Sequence, residues 1–296
     1  MELMANLNDS IGLLKNTFVV IARNPAIFKP TLAQIIIATL IWLFLIGSFT
    51  ILFLIQIPSL ILISILMLLI SVGLWILFPF IKMYYRAAQS WIVYNTFKGN
   101  NISHKDGIAR ARQNKMDIFI LGLLEIMFNA LSKKLKQGSG NSGGLWTILN
   151  ILLKMTGALV EEAWDLVGHF LLPGSIIPEK TVGEALSDIK NLKNNVPGSL
   201  VGALGIDFIG DAIRGYVTFV FVLIIFAGFG VFYFTSSAAL MIIGIALAIL
   251  FNFIAKIFVD MIKTVYFTIF YVTLTVPEEI PEGIREEVTN YLALKA

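Results

Sequence analysis

Two stretches of this chain carry no charged side chain: Thr31–Ile81, 51 residues long, and Gly215–Ala255, 41 residues long. A membrane-spanning helix needs about 20 apolar residues, so each stretch has room for two crossings. The first divides at Gln56-Ile57-Pro58 into Leu32–Ile55 and Ser59–Ile81. The second divides near Gly228-Phe229-Gly230 into Tyr216–Gly228 and Ser237–Ala255. Proline and glycine stand where a chain must reverse. The predicted fold is all-α and polytopic, with four transmembrane helices arranged as two hairpins.

The remaining charge predicts an orientation. Only 14% of the 296 residues are charged, too few to cover a soluble protein of this size. Lys15, Arg23 and Lys29 precede the first hairpin, and Lys82, Arg86, Lys98, Lys105, Arg110, Arg112 and Lys115 follow it. Lys180, Lys190 and Lys193 precede the second, and Lys256 and Lys263 follow it. The positive-inside rule then predicts a multi-pass protein of the cytoplasmic membrane with both termini in the cytoplasm. The N-terminus lacks the basic leader and small-residue cleavage site of a signal peptide. Instead Leu7, Ile11, Leu14, Phe18 and Ile21 recur at steps of four and three, the pattern of an amphipathic helix lying on the leaflet. The absence of cysteine excludes a disulfide scaffold or a thiolate site.

The two hairpins sit in similar surroundings. Ser10-Ile11-Gly12 opens an amphipathic segment reaching Asn24-Pro25, and Thr181-Val182-Gly183 opens another reaching Asn195-Val196-Pro197. After the hairpins, residues 84–108 parallel 261–284: an aromatic-rich helix, a polar turn, then Gly-Ile opening a charged helix. The pattern predicts a weak internal repeat. Its halves run parallel, unlike the inverted pairs common in alternating-access carriers. The second helix of each hairpin outruns the membrane, since Ser237–Thr275 extends about 60 Å as a helix. Lys256, Asp260 and Lys263 line one side of its emerging part, as Lys82, Arg86 and Gln89 do on the first long helix. Three regions follow: 1–107 as the first half, 108–180 as a central membrane-surface helical hairpin, and 181–296 as the second half.

The central region is apolar but a poor spanner. Ile118–Leu131 is short and contains Glu125 and Asn129, while Leu145–Leu172 carries Lys154, Glu161, Glu162, Asp165 and His169. Charges of that kind are costly at mid-bilayer. The pair is predicted to form a helical hairpin on, or partly dipped into, the inner leaflet, joined by the basic and flexible KKLKQGSGNSGG. Capping boxes are predicted at Ser103–Asp106 and Thr181–Glu184.

Trp164-Asp165-Leu166, Phe170, Pro173, Glu179, Ala185 and Ser187 resemble the central signature of a family of archaeal and bacterial polytopic integral membrane proteins. That signature runs A-W-x-L-x-x-x-F-x-x-P, then E, then an amphipathic helix. Phe18–Pro30 is similar to the family's start, where an amphipathic helix leads into the first hairpin. The family's activity is unassigned, so the resemblance implies architecture and no chemistry. His169 departs from it, standing where an aromatic residue is expected. A second likeness fails: KDGIARAR (105–112) resembles the D-G-x-x-A-R core of the CDP-alcohol phosphotransferases but is one residue short and lacks their set of acids. It reads instead as a basic surface helix meeting anionic lipid.

Two groups of residues are candidates for chemistry. Glu161, Asp165 and His169 fall at i, i+4 and i+8, and Lys154 continues their stripe. The stripe reads as a solvated face, as a pore-lining or subunit-interface face, or, least well supported, as a metal site, which usually takes three or four converging ligands. Asp207, Asp211 and Arg214 precede the second hairpin as a surface ion-pair set or as an acidic mouth of a cation pathway. No catalytic set, metal or cofactor is expected, and nothing points to nucleic acid. The expected function is a homo-oligomeric channel or pore for ions or small solutes, with Gln34, Ser48, Thr50, Thr218, Ser236 and Asn252 as polar groups in the spans. This expectation rests partly on the absence of buried charge able to couple a gradient. A non-catalytic scaffold that organises membrane lipids or partner proteins is the alternative.

Overall fold

The computed structural model describes residues 17–52, 58–137, 167–178, 180–185, 215–216, 218–220, 222–224, 226–227 and 238–279. Among them every regular element is helical. Residues 17–23 are helical and end at Asn24, whose side chain accepts from the Ala26 N–H and caps the 3-10 turn Pro25–Ile27. The same side chain donates to Thr96 Oγ1 at 3.0 Å and to the Ile102 carbonyl at 3.2 Å. One asparagine therefore sets both the start of the first long helix and its attachment to the far end of the second.

That first helix, α1, is Phe28–Thr50. Thr31, Gln34, Ala38, Ile41 and Ser48 make its buried face, while Leu32, Ile36, Leu40 and Leu43 are exposed. A helix that is apolar all round suits lipid. Helix α2, Pro58–Phe97, is 40 residues long, about 60 Å at the helical rise and twice the hydrocarbon thickness. Its two halves differ accordingly. From Ile61 to Leu77 large apolar side chains point outward on all but the side of Ser64 and Ser71, with Leu62 at 77% and Trp75 at 65% exposure. Ser64 and Ser71 in that half return their hydroxyls to the Ile61 and Leu68 carbonyls. From Met83 to Phe97 most side chains are buried. Pro79 falls at the junction, where its ring denies the Trp75 carbonyl the usual helical donor.

Helix α3, His104–Gln113, opens with the expected capping box, in which the Ser103 N–H and hydroxyl donate to Asp106 Oδ2. These bonds hold the Asp106 carboxyl below its ordinary pKa. Gly107 lets α3 lie against α2, since a Cβ there would sit 2.7 Å from the Ala88 carbonyl oxygen. Helix α4 is Lys115–Gln137, and a short apolar helix, α5, is Val167–Ile176. The second expected capping box also forms, with the Thr181 N–H and hydroxyl each 2.8 Å from Glu184 Oε2.

Helix α6 is Ala238–Thr275 and ends at the expected residue. Leu247, Ile249, Phe251 and Phe258 are exposed, whereas Met261 to Thr273 are buried. α1, α2 and α6 join through Ala38, Ile41, Phe78 and Ile257. Three helical stretches, Pro25–Thr50, Ser59–Phe97 and Gly244–Thr273, are long and apolar enough to cross a membrane. Of the expected span Tyr216–Gly228, the described residues are helical and expose Tyr216, Phe219 and Phe226.

α5 packs within the bundle: Phe170, Leu171, Leu172 and Ile176 are buried, with Phe170 edge-on to Phe267 and Phe270 of α6. The rest of the expected segment Leu145–Leu172 lies outside the described residues.

Candidate functional site

Just below the outward-facing belt of α2, polar residues of α2 and α6 meet each other. Lys82 Nζ lies 3.1 Å from Asp260 Oδ2, Arg86 Nε donates to Thr264 Oγ1 at 3.1 Å, and Ser90 Oγ shares a hydrogen bond of 2.9 Å with Thr268 Oγ1. Each pair is separated by 178 residues. Both helices advance by four residues from one pair to the next, so they run parallel with a fixed register. Four residues is close to one helical turn, which returns each polar group to the same face.

Two further elements close this charged core. Glu125 of α4 reaches Lys82 at 2.8 Å, so one ammonium serves two carboxylates. His169 of α5 accepts from Arg86 Nη2 through Nε2. Its ring also lies 5.1 Å from that of Phe267. Next along α2, Gln89 Nε2 donates to the Ile27 carbonyl and to Thr31 Oγ1, bringing in α1. Five helices are thereby joined around a few charged side chains.

Of the two groups that are candidates for chemistry, only His169 is described; Lys154, Glu161, Asp165, Asp207, Asp211 and Arg214 lie outside the described residues. His169 is 3% exposed, and Arg86 and Phe267 cover its side of α5.

Lys82, Arg86 and Gln89 are paired within the bundle. Beyond the charge-free stretches of the long helices, Arg86 and Lys263 are buried, and Lys82 and Asp260 are largely covered. Some polar groups of the spans are engaged or covered. Ser48 donates to the Leu45 carbonyl, Asn252 donates to Thr218, and Gln34 is buried.

Arg110 also faces inward, unlike the lipid-facing basic residue expected in KDGIARAR. Its guanidinium donates to the Ile176 carbonyl at 2.9 and 2.7 Å and to that of Ile177 at 3.1 Å. It stacks over Trp91 with Cζ 4.5 Å from the ring centroid. Carbonyls at a helix C-terminus lack intrahelical donors, so Arg110 caps α5 and fixes it against α2. Lys105 and Arg112 of the same helix remain exposed.

The sequence reading missed the pairing although both polar rows were visible. Lys82, Arg86 and Ser90 on one long helix and Asp260, Thr264 and Thr268 on the other share one spacing and carry complementary groups. Equal spacing on two helices of similar length was the available signal.

Chemically, the cluster offers cation–carboxylate pairing. Among the described residues no three His, Cys, Asp or Glu side chains converge as metal ligands. Fold and site define an all-helical chain with three helices of membrane-crossing length and apolarity, clamped by a charged core. Comparison with protein-family models, curated proteins and solved structures finds no match to this chain.

Proposed function

We propose that this chain is a non-catalytic membrane scaffold, a multi-pass helical bundle held in lipid by its apolar belt and organising lipids or partner proteins through its inner half. One observation carries the reading: the polar residues of the two long helices are paired with one another. A conduction path lined by those residues would present them to water or to a permeant ion. Here Lys82, Arg86 and Ser90 are closed over by Asp260, Thr264 and Thr268, which favours a fixed framework.

The finer topology belongs to the same proposal. It comprises four spans in two hairpins, with the segment near Tyr216–Gly228 as the third, and both termini on the cytoplasmic face. The parallel repeat is supported by register, since segments 84–108 and 261–284 begin 177 residues apart and the paired rungs are 178 apart.

A homo-oligomeric channel for ions or small solutes is the second reading, and one observation favours it. Gln89 Oε1, Glu125 Oε2 and Ser175 Oγ are buried without a hydrogen-bond partner. Buried polar atoms normally find a partner, in protein or water. Such unmet groups inside the bundle offer hydrogen-bond partners to water.

Reconstitution into liposomes separates the two. A scaffold gives ion and small-solute flux equal to that of empty liposomes, in the wild type and in a charge-neutral Lys82→Met/Glu125→Gln/Asp260→Asn variant alike. Flux above that of empty liposomes, altered in the variant, overturns the scaffold reading in favour of a channel.

A further inference from the structure

Helix α4 has two apolar faces, and the bundle covers only one of them. Ile118, Leu121 and Gly122 are buried against α2 and its neighbours, and Glu125 reaches in to Lys82. On the other face Met116, Phe119, Ile120, Leu123, Met127 and Leu131 are all exposed. Their spacing of three and four residues makes one continuous stripe along a helix about 35 Å long.

The position of that stripe is specific. Phe119 stacks on Phe80 with ring centroids 5.0 Å apart, a Cβ on Gly122 would also meet Phe80, and Glu125 binds Lys82. These contacts span seven residues of α4 and three of α2, so the two helices cross rather than run alongside. The crossing lies immediately below Trp75, Ile76 and Leu77, the last outward-facing apolar residues of the α2 belt. The α4 stripe therefore continues the apolar belt sideways at its lower rim. Lys115 at one end and Lys133 and Lys134 toward the other are exposed. Apolar side chains on one face with lysines at the ends describe a helix lying in the membrane interface, and the lysines complement anionic headgroups.

We infer that α4 is an in-plane interfacial helix whose exposed stripe is covered by the bilayer and whose lysines bind anionic phospholipid headgroups. This deepens the scaffold reading, on whose membrane placement it rests, by naming the lipid class and the surface that takes it.

The chain has no cysteine, so single spin labels can be placed without removing native thiols. Labels at Ile120, Leu123 and Met127 are compared with one at Leu69, in the belt of α2, using the full chain in phosphatidylcholine vesicles with graded phosphatidylglycerol. The expected result is oxygen-dominated collision at all four positions, shallow for the α4 labels and deep for Leu69. A Leu69 label in water overturns the membrane placement itself. A Leu69 label in lipid with α4 labels in water overturns this inference alone. Dipolar broadening between Leu123 labels also overturns it, because a second copy of the chain then covers the stripe. In the Lys133→Gln/Lys134→Gln variant, the phosphatidylglycerol fraction that half-saturates the α4 signal is expected to rise about 5-fold per lysine removed. An unchanged fraction overturns the headgroup assignment.

Discussion

Lys82 and Asp260, 178 positions apart in the chain, lie 3.1 Å apart across two parallel helices, and Glu125 completes the pair at 2.8 Å. The arrangement couples three elements through one ammonium group. Burial of these groups carries a desolvation cost that the attraction offsets only while all partners are present.

Removing the cation alone is therefore expected to be severe. Lys82→Met keeps the length of the side chain but leaves two carboxylates facing each other in a largely covered site. The expected loss of stability is about 3–5 kcal/mol. Neutralising the acids as well, with Glu125→Gln and Asp260→Asn, is expected to recover most of it. Thermal unfolding of the purified protein in one detergent, measured for the single and triple variants, checks both. Equal losses in the two would show that the charges act independently.

Two glycines give opposite expectations from the same substitution. Alanine normally favours a helix interior over glycine by about 1 kcal/mol. At Gly73 a Cβ meets nothing within 4 Å, so Gly73→Ala is expected to leave stability unchanged or raise it. At Gly107 the Cβ would stand 2.7 Å from a backbone oxygen of Ala88, which cannot swing aside. Gly107→Ala is expected to cost about 1–3 kcal/mol through overpacking, and paired melting curves decide the comparison.

Arg110 holds the end of α5 by three hydrogen bonds to two carbonyls while stacked on Trp91. A lysine keeps the charge but neither the planar fork nor the stacking. Arg110→Lys is expected to lower stability by about 1–3 kcal/mol and to raise amide exchange in Phe170–Ile177. Exchange measured by mass spectrometry on peptides from this region tests the local effect.

The chain beyond α6 is tied back by a latch that depends on pH. Glu279 accepts from Tyr94 and from Lys98 Nζ, the latter at 3.0 Å. The tyrosine hydroxyl and then the ammonium hold the Glu279 carboxyl below its ordinary value of 4.5. Hydrogen bonds to Tyr94 and Glu279 raise Lys98 above its ordinary 10.5. A depressed acid contributes stability above its unfolded pKa and loses it as pH falls through the folded value. A raised base contributes stability below its unfolded pKa and loses it as pH rises through the folded value. The latch is thus expected to hold between these limits and to open on acidification below the usual carboxylate range. A spin label at Glu278, which is exposed, should be immobilised at neutral pH, mobile in acid, and more mobile at neutral pH in Tyr94→Phe.

The long helices and their apolar halves are legible in the chain's apolar runs. The bounds of α6 follow from an unbroken run of apolar and helix-compatible residues, and its inner charges mark where lipid exposure ends. The capping boxes at Ser103 and Thr181 were legible for the same reason, since each is complete within four residues. Apolarity, length and caps are local properties.

Tertiary structure alone decided what each polar face meets. Periodicity predicts His169 on a polar stripe and Lys82 on a polar inner end. What covers a face depends on helices far away in sequence: Arg86 and Phe267 for His169, Glu125 and Asp260 for Lys82. A charge beside water and a charge beside its counter-ion have the same helical spacing. Only the crossing of α2, α4, α5 and α6 distinguishes them, through distances of about one hydrogen bond that no single helix encodes.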